Sequence, residues 1–402
     1  MSLDHGRRLT AIPGPSVMPD RVLAAMHRAM PNIYEGELIQ ISLRVLDELP
    51  ALARTSSEAF ITISNGHGAW EMALTNTLSR GQRVLVAESG RFARAWGDMA
   101  AMLGLDVVTV EGSDRAAVDP AAVEAALRVD RDRTIAAVLV VQVDTATSVR
   151  NDIGAIRAAL DAADHPALLM VDCIASLGCE RYEMDLWGVD VTVASSQKGL
   201  MVPPGLGFVW ASSKARVAHE SADLRTGYWD WTARSKPDTH YQRYCGTPPV
   251  SHLFGLAEAL DMLWEEGLDA VWDRHEALAS AVRAAVDAWA APGGLEFNIT
   301  APAERSNAVT TLRTPGVEAD RLRALCEQQA GLTLGVGLEG LGFRIGHMGH
   351  LNPPMVLGVL GTLEAALRAM DVPTAGSGVA AAAASLAPHL DPRSVDLTGL
   401  RA

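Results

Sequence analysis

Apolar and polar positions alternate in a repeating block along the first half of the chain. Short apolar runs at 59–64, 83–88, 106–110 and 136–143 are each followed by a stretch with helical spacing, at 69–78, 92–103, 120–127 and 153–163. Further short apolar runs follow at 167–171, 189–194 and 207–211. Strands of this length alternating with helices predict an α/β architecture: a mainly parallel, seven-stranded sheet with helices on both faces. In such sheets ligands collect beyond the carboxyl ends of the strands. Asp144, Asp172, Lys198 and the Gly66-His67-Gly68 turn fall at such ends, and Phe92 opens the helix after one.

From about residue 271 the pattern changes. A long helical stretch at 271–290 leads to Gly293-Gly294. It is followed by a strand-like run at 308–312, a helix at 318–329, a strand at 342–345 and a helix at 354–370. This reads as a smaller α+β domain over 271–402, after a large domain over 27–270. The segment 1–26 is expected to cross back onto the small domain or onto a partner subunit. The tail from Pro373 is rich in Ala and Gly, with one further helix at 379–386. No internal repeat is evident.

Composition narrows the class. At 402 residues the chain exceeds the usual size of one hydrophobic core. A formal net charge of −14 argues against nucleic acid or an anionic membrane as the main partner. Four cysteines, Cys173, Cys179, Cys245 and Cys326, form neither a disulfide framework nor a zinc-type spacing, and no metal site is expected. Cys173 and Cys179 lie in or beside apolar runs and read as core residues. The N-terminus lacks a signal-peptide core and no run is long enough to span a membrane, so a soluble cytoplasmic protein is expected.

The candidate chemistry lies between residues 168 and 207. One apolar run ends in Asp172 and another in Ser195-Ser196-Gln197-Lys198, with Gly and Pro close behind. A lone lysine after a strand is ordinarily a surface residue, and a lone aspartate there ordinarily caps a turn. Together, at the ends of two adjacent buried strands, they match what pyridoxal 5'-phosphate (PLP) needs. A lysine forms an imine with its aldehyde, and a carboxylate keeps its pyridine nitrogen protonated. Burial also helps such a lysine lose its ammonium proton. The turn Ser64-Asn65-Gly66-His67-Gly68-Ala69 joins a strand to a helix, where backbone N–H groups can hold a phosphate. It matches neither the dinucleotide nor the Walker pattern. His67 reads equally as a phosphate contact or a turn residue. Phe92 can stack on a pyridine ring, although its spacing favours a core aromatic.

These residues resemble the class V, fold-type I PLP-dependent aminotransferases of the alanine–glyoxylate and serine–glyoxylate group, over nearly the whole length. The landmarks are PGPS at 13–16, NGHGAWEMAL at 65–74, DTATS at 144–148, VDCIASLG at 171–178, SSQKGL at 195–200, PPG at 203–205, YCGTPP at 244–249 and FRIGHMG at 343–349. The resemblance implies that Lys198 is the imine-forming lysine and Asp172 the pyridine partner. Phe92 and Ile174 would cover the two ring faces, and Asn65, Gly66, His67 and Gln197 would hold the phosphate. Thr145 would lie near the polar edge of the ring. Tyr244 and Thr247 would reach the phosphate of a neighbouring subunit, which implies a homodimer with shared active sites. Arg344 would grip the substrate α-carboxylate, a task suited to a planar two-pronged donor; the competing role is a domain-interface ion pair.

The chain departs from the family at two places. NIYEGEL at 32–38 stands where many serine–glyoxylate members have Asp-His-Arg, and Cys-Gly separates Tyr244 from Thr247 where some animal relatives have two His. The aromatic and Arg-rich segment 224–244 is expected to shape a neighbouring subunit's pocket. The implied activity is ping-pong transfer of an amino group from a small amino acid, serine or alanine favoured, to a small 2-oxo acid, glyoxylate favoured and pyruvate possible. A pyridoxamine–pyruvate type of enzyme is the second reading. Tyr34 and Glu35 loosely resemble it, but its extra Arg upstream of Arg344 is missing. Lyase or kynureninase chemistry would use the same lysine. A desulfurase needs a mobile nucleophilic Cys, and Cys326 sits in a helical pattern. A PLP-binding regulator would need a DNA-binding module that this acidic chain does not show.

Overall fold

The computed structural model describes residues 3–395. Seven strands form the larger sheet, in the order Glu58–Ser64, Gly205–Ala211, Val191–Ser195, Leu168–Asp172, Ile135–Val141, Arg83–Ala87, Asp106–Val110. Gly205–Ala211 runs antiparallel to both neighbours, and the remaining pairs are parallel. The central strands are buried along their whole length, as expected of a sheet covered on both faces. The run at 136–143, read as one strand, is two. Val143–Asp144 leaves the sheet after Gln142 and pairs with Val149–Arg150, so the DTATS turn folds back over the strand ends.

A second sheet has five strands, ordered Leu9–Ala11, Leu332–Gly337, Gly342–Gly346, Val309–Arg313, Glu296–Phe297. Its core includes Trp289, Phe343 and Leu360. The N-terminal segment is stitched into this sheet, with Leu9–Ala11 parallel to Leu332–Leu334. The helix Asp20–Met26 then lies on the helix Val250–Glu266, where Arg21 pairs with Glu258 and Glu265, each at 2.6 Å. Gly378–Leu386 packs on the Leu268–Trp289 helix. There Glu364 accepts from the Trp289 indole at 3.1 Å and from the backbone of Val379.

Several elements have no clear signature in the sequence. Leu332–Gly337 is broken by two glycines, and Leu9–Ala11 is too short to show a period. Val250–Glu266 is buried on most sides between Asp20–Met26 and Glu37–Leu52, so it lacks a polar stripe. The segment 224–244 folds onto its own chain. Trp231 stacks on Phe60 with centroids 5.1 Å apart, and the buried Arg234 donates to the carbonyls of Ile61, Tyr228 and Arg243.

Candidate active site

The parallel strands deliver their carboxyl ends to a cavity of about 210 Å³. Five segments wall it: Asn65–Trp70 at a helix start, Phe92, Val141–Thr145, Asp172–Ala175 and Gln197–Lys198. Asp172 is opposite Val141 in one parallel pair and opposite Val193 in the other. That register places the two strand ends, and with them Asp172 and Lys198, at one site.

The Asp172 carboxylate is buried, and both its oxygens are held. Oδ1 accepts from the Ile174 N–H at 2.7 Å, and Oδ2 accepts from the Trp70 indole at 2.8 Å. Burial pushes its pKa up to about 7 against these donors and nearby Lys198; Asp144 adds to the rise. Trp70 is itself fixed in a stack, tilted against His67 at 4.5 Å and nearly parallel to Trp96 at 5.8 Å. A Cβ at Gly66 would lie 2.2 Å from Ile174 Cδ1, so only glycine there lets Ile174 cover the cavity.

Lys198 is partly buried, and burial together with the Arg344 charge lowers its pKa to about 8. The PGPS segment straps over it. Lys198 Nζ donates to the Pro13 carbonyl, and Ser16 Oγ donates to the Lys198 carbonyl at 2.7 Å. Gly14, at φ +98°, has room for no side chain: a Cβ would meet Lys198 Nζ at 2.5 Å.

Arg344 comes from the second sheet. Its Nε donates to the Val336 carbonyl and its Nη1 to the Thr145 carbonyl at 2.8 Å. Burial brings its pKa down to about 10. Asp144 is buried and caps the helix Arg91–Met102 from outside, accepting from the Phe92 N–H at 2.7 Å and from Ala146 at 2.9 Å. Burial raises its pKa.

The structure therefore brings together Asn65, Gly66, His67, Phe92, Thr145, Asp172, Ile174, Gln197 and Lys198. Asn65 caps its own helix through the His67 N–H, while His67 and Phe92 face the cavity and also belong to the aromatic packing. Arg344 is not among the lining residues but donates to the carbonyl of Thr145, which is. Two residues lie elsewhere. Tyr244 is fully buried with its hydroxyl against Ser42, and Thr247 is exposed. Tyr34 and Glu35 are exposed and outside the cavity. Cys326 is buried in the Ala319–Ala330 helix, with burial lifting its thiol to about 11, so it cannot serve as a mobile nucleophile. Cys173 and Cys179 are buried, Cys245 is exposed, and none of the three lines the cavity. Sequence reasoning missed Trp70 and the Pro13–Gly14 strap. Trp70 had a signal, since it lies one helical turn after Gly66 and His67 and shares their face. The strap was marked only as the PGPS motif, and its contact with Lys198 could not be read because it spans 185 positions.

Comparison with known proteins identifies the family. The family model described as Aminotransferase class-V matches residues 21–345. A serine–glyoxylate aminotransferase of Methylorubrum extorquens is 41% identical over 393 residues, covering 95% of this chain and 96% of that protein. An L-aspartate–glyoxylate aminotransferase of Paracoccus denitrificans is 40% identical, covering 92% and 94%. The crystal structure of a pyridoxamine–pyruvate aminotransferase from Mesorhizobium loti superposes with a TM-score of 0.87 at 28% identity, covering 96% of this chain and 99% of that one. By its sequence, its fold and its strand-end lysine and aspartate, the chain belongs to the class-V aminotransferase family and is an aminotransferase.

Proposed function

We propose that this enzyme holds PLP in the Asp172–Lys198 cavity and moves an amino group from a small amino acid to a small 2-oxo acid, glyoxylate first. The observation that carries this is the pair of strand ends. A buried carboxylate with both oxygens oriented, and a lysine with a depressed pKa, face one cavity from adjacent parallel strands. The other walls fit the group as well. Ile174 and Phe92 offer two apolar faces, and the Asn65–Gly66–His67 turn and Gln197 offer polar contacts for a phosphate.

When bound, the cofactor supplies an aldehyde that links to an amine and a pyridinium ring that accepts electron density from the substrate Cα. The chain supplies the rest. Asp172 would hold a protonated ring nitrogen, the positive partner that its burial favours, and Trp70 and Ile174 keep its oxygens aimed. Arg344 binds the donor carboxylate and so fixes which Cα bond stands toward Lys198. Lys198 Nζ, whose pKa near 8 leaves about a tenth of it neutral at pH 7, takes the Cα proton and returns it. Glyoxylate is the favoured acceptor because both relatives above carry that name. Serine, alanine and aspartate all fall within the donor class. The same reading makes the enzyme a cytoplasmic homodimer in which Tyr244 and Thr247 serve the neighbouring subunit. Thr247 is exposed, which suits that role, whereas Tyr244 would have to leave Ser42.

Three outcomes test the proposal. The holoenzyme mixed with a small amino acid should convert its cofactor to the amine form, with glyoxylate reversing the absorbance change, and Lys198→Ala should lose turnover by at least about a thousandfold. A Lys198→Ala protein with full activity would refute the assignment. Capture of PLP by the cofactor-free enzyme should speed up about tenfold per pH unit up to about pH 8 and then level off. Only the neutral amine attacks, and a lowered lysine pKa enlarges that fraction below its ordinary range. A rise continuing to pH 10 would mean an unshifted lysine. Trp70→Phe removes a hydrogen bond to a charged group, worth about 1.5–3 kcal/mol, so the donor half-reaction should slow roughly ten- to a hundredfold in stopped-flow absorbance. An unchanged rate would show that Asp172 needs no such support.

A further inference from the structure

Gln197 lines the cavity immediately before Lys198. Its backbone carbonyl accepts from the Ser16 N–H of the strap at 2.9 Å. Its side-chain oxygen accepts from Ser195 Oγ, at the end of the strand Val191–Ser195, at 2.5 Å. That distance identifies which end of the amide faces Ser195. It lies within the range of an O–H···O bond and below that of an N–H···O bond, so the hydroxyl donates and the amide oxygen accepts. Ser195 Oγ also lies 3.0 Å from the Leu206 carbonyl, but that carbonyl already takes the Ser196 N–H at 3.0 Å. Ser195 is 1% exposed and does not itself line the cavity.

An amide is planar, so turning its oxygen onto Ser195 turns Nε2 the other way. Among the described residues Gln197 Nε2 donates to no protein group, and it is not sealed in the interior. Its N–H bonds are left for the cavity. The facing turn has fewer free donors than its sequence suggests. Asn65 spends its amide oxygen on the His67 N–H at 3.0 Å, so that N–H is taken. We infer that Ser195 is a positioning residue: it fixes Gln197 as a donor, and so makes the site select the phosphorylated cofactor over free pyridoxal. An anion gains a charge-assisted bond from such a donor, whereas the neutral hydroxymethyl group of pyridoxal gains much less. Without the Ser195 hydroxyl the amide swings freely and turns its oxygen toward the anion part of the time. This rests on the PLP reading above and names the residue that makes its phosphate end selective.

The test titrates the full-length, cofactor-free enzyme with PLP and with pyridoxal, the same ring without the phosphate. Trp70 borders the cavity, so tryptophan fluorescence follows both. Wild type should bind PLP the more tightly. Ser195→Ala should weaken PLP about three- to tenfold and change pyridoxal by less than about twofold. A double-mutant cycle isolates the route. In a Gln197→Ala background, Ser195→Ala should not weaken PLP further, because the hydroxyl then has no amide to hold. Equal weakening of PLP and pyridoxal would overturn the inference, since a general disturbance of the strand end acts on both. So would unchanged PLP binding in Ser195→Ala, the same loss in both backgrounds, or wild type that binds pyridoxal as tightly as PLP. None of these outcomes touches the aminotransferase assignment. Wild type that binds neither compound would defeat the cofactor reading itself, and this inference with it.

Discussion

The site depends on the burial of one carboxylate. Taking an ionised group out of water costs several kcal/mol, and each hydrogen bond it accepts while charged returns about 1.5–3 kcal/mol. Asp172 has two such bonds, from a backbone N–H that any residue except proline at 174 would supply and from an indole that only Trp70 supplies. They do not fully offset the burial, and the carboxyl remains displaced to about 7. That residue of unmet charge is an attraction for a cationic ring nitrogen. The surrounding sheet exists in this register to hold Asp172 beside Val141 and Val193 with Lys198 next door.

The second sheet enters the site by two routes. Arg344 crosses to the Thr145 carbonyl, and the N-terminal strap runs from its strand Leu9–Ala11 to the Pro13 carbonyl that meets Lys198. The side chain of Arg344 and the strap contact to Lys198 are thus both set from the same small sheet. A shift of that sheet would move both together. The loop at 144–145 is the junction: Asp144 anchors the helix that carries Phe92, and Thr145 anchors Arg344.

Much of this was legible in the sequence because strand ends announce themselves. Apolar runs ending in Asp172 and just before Lys198 located the floor of the cavity, and the seven runs located the large sheet. What stayed hidden depends on distance along the chain or on packing without a period. The Leu9–Ala11 strand and its strap contact partners more than 180 positions away. The Val250–Glu266 helix is buried on most sides, so its pattern carries no amphipathic signal. Trp70 was readable in principle from its helical turn, but an indole in an apolar helix looks like core until the carboxylate facing it is known. Tyr244 is a case where the motif and the single chain say different things. Its motif suggests a ligand, whereas in this chain the side chain is buried and bonded to Ser42.

The central claim is that Lys198 carries the cofactor. The direct measurement is borohydride reduction of the holoenzyme, followed by proteolysis and mass spectrometry. A phosphopyridoxyl group on the peptide containing Lys198, absent when Lys198 is replaced by alanine, is the predicted result. The label on Lys214 or Lys236, or no covalent label in protein that retains the cofactor, would contradict it.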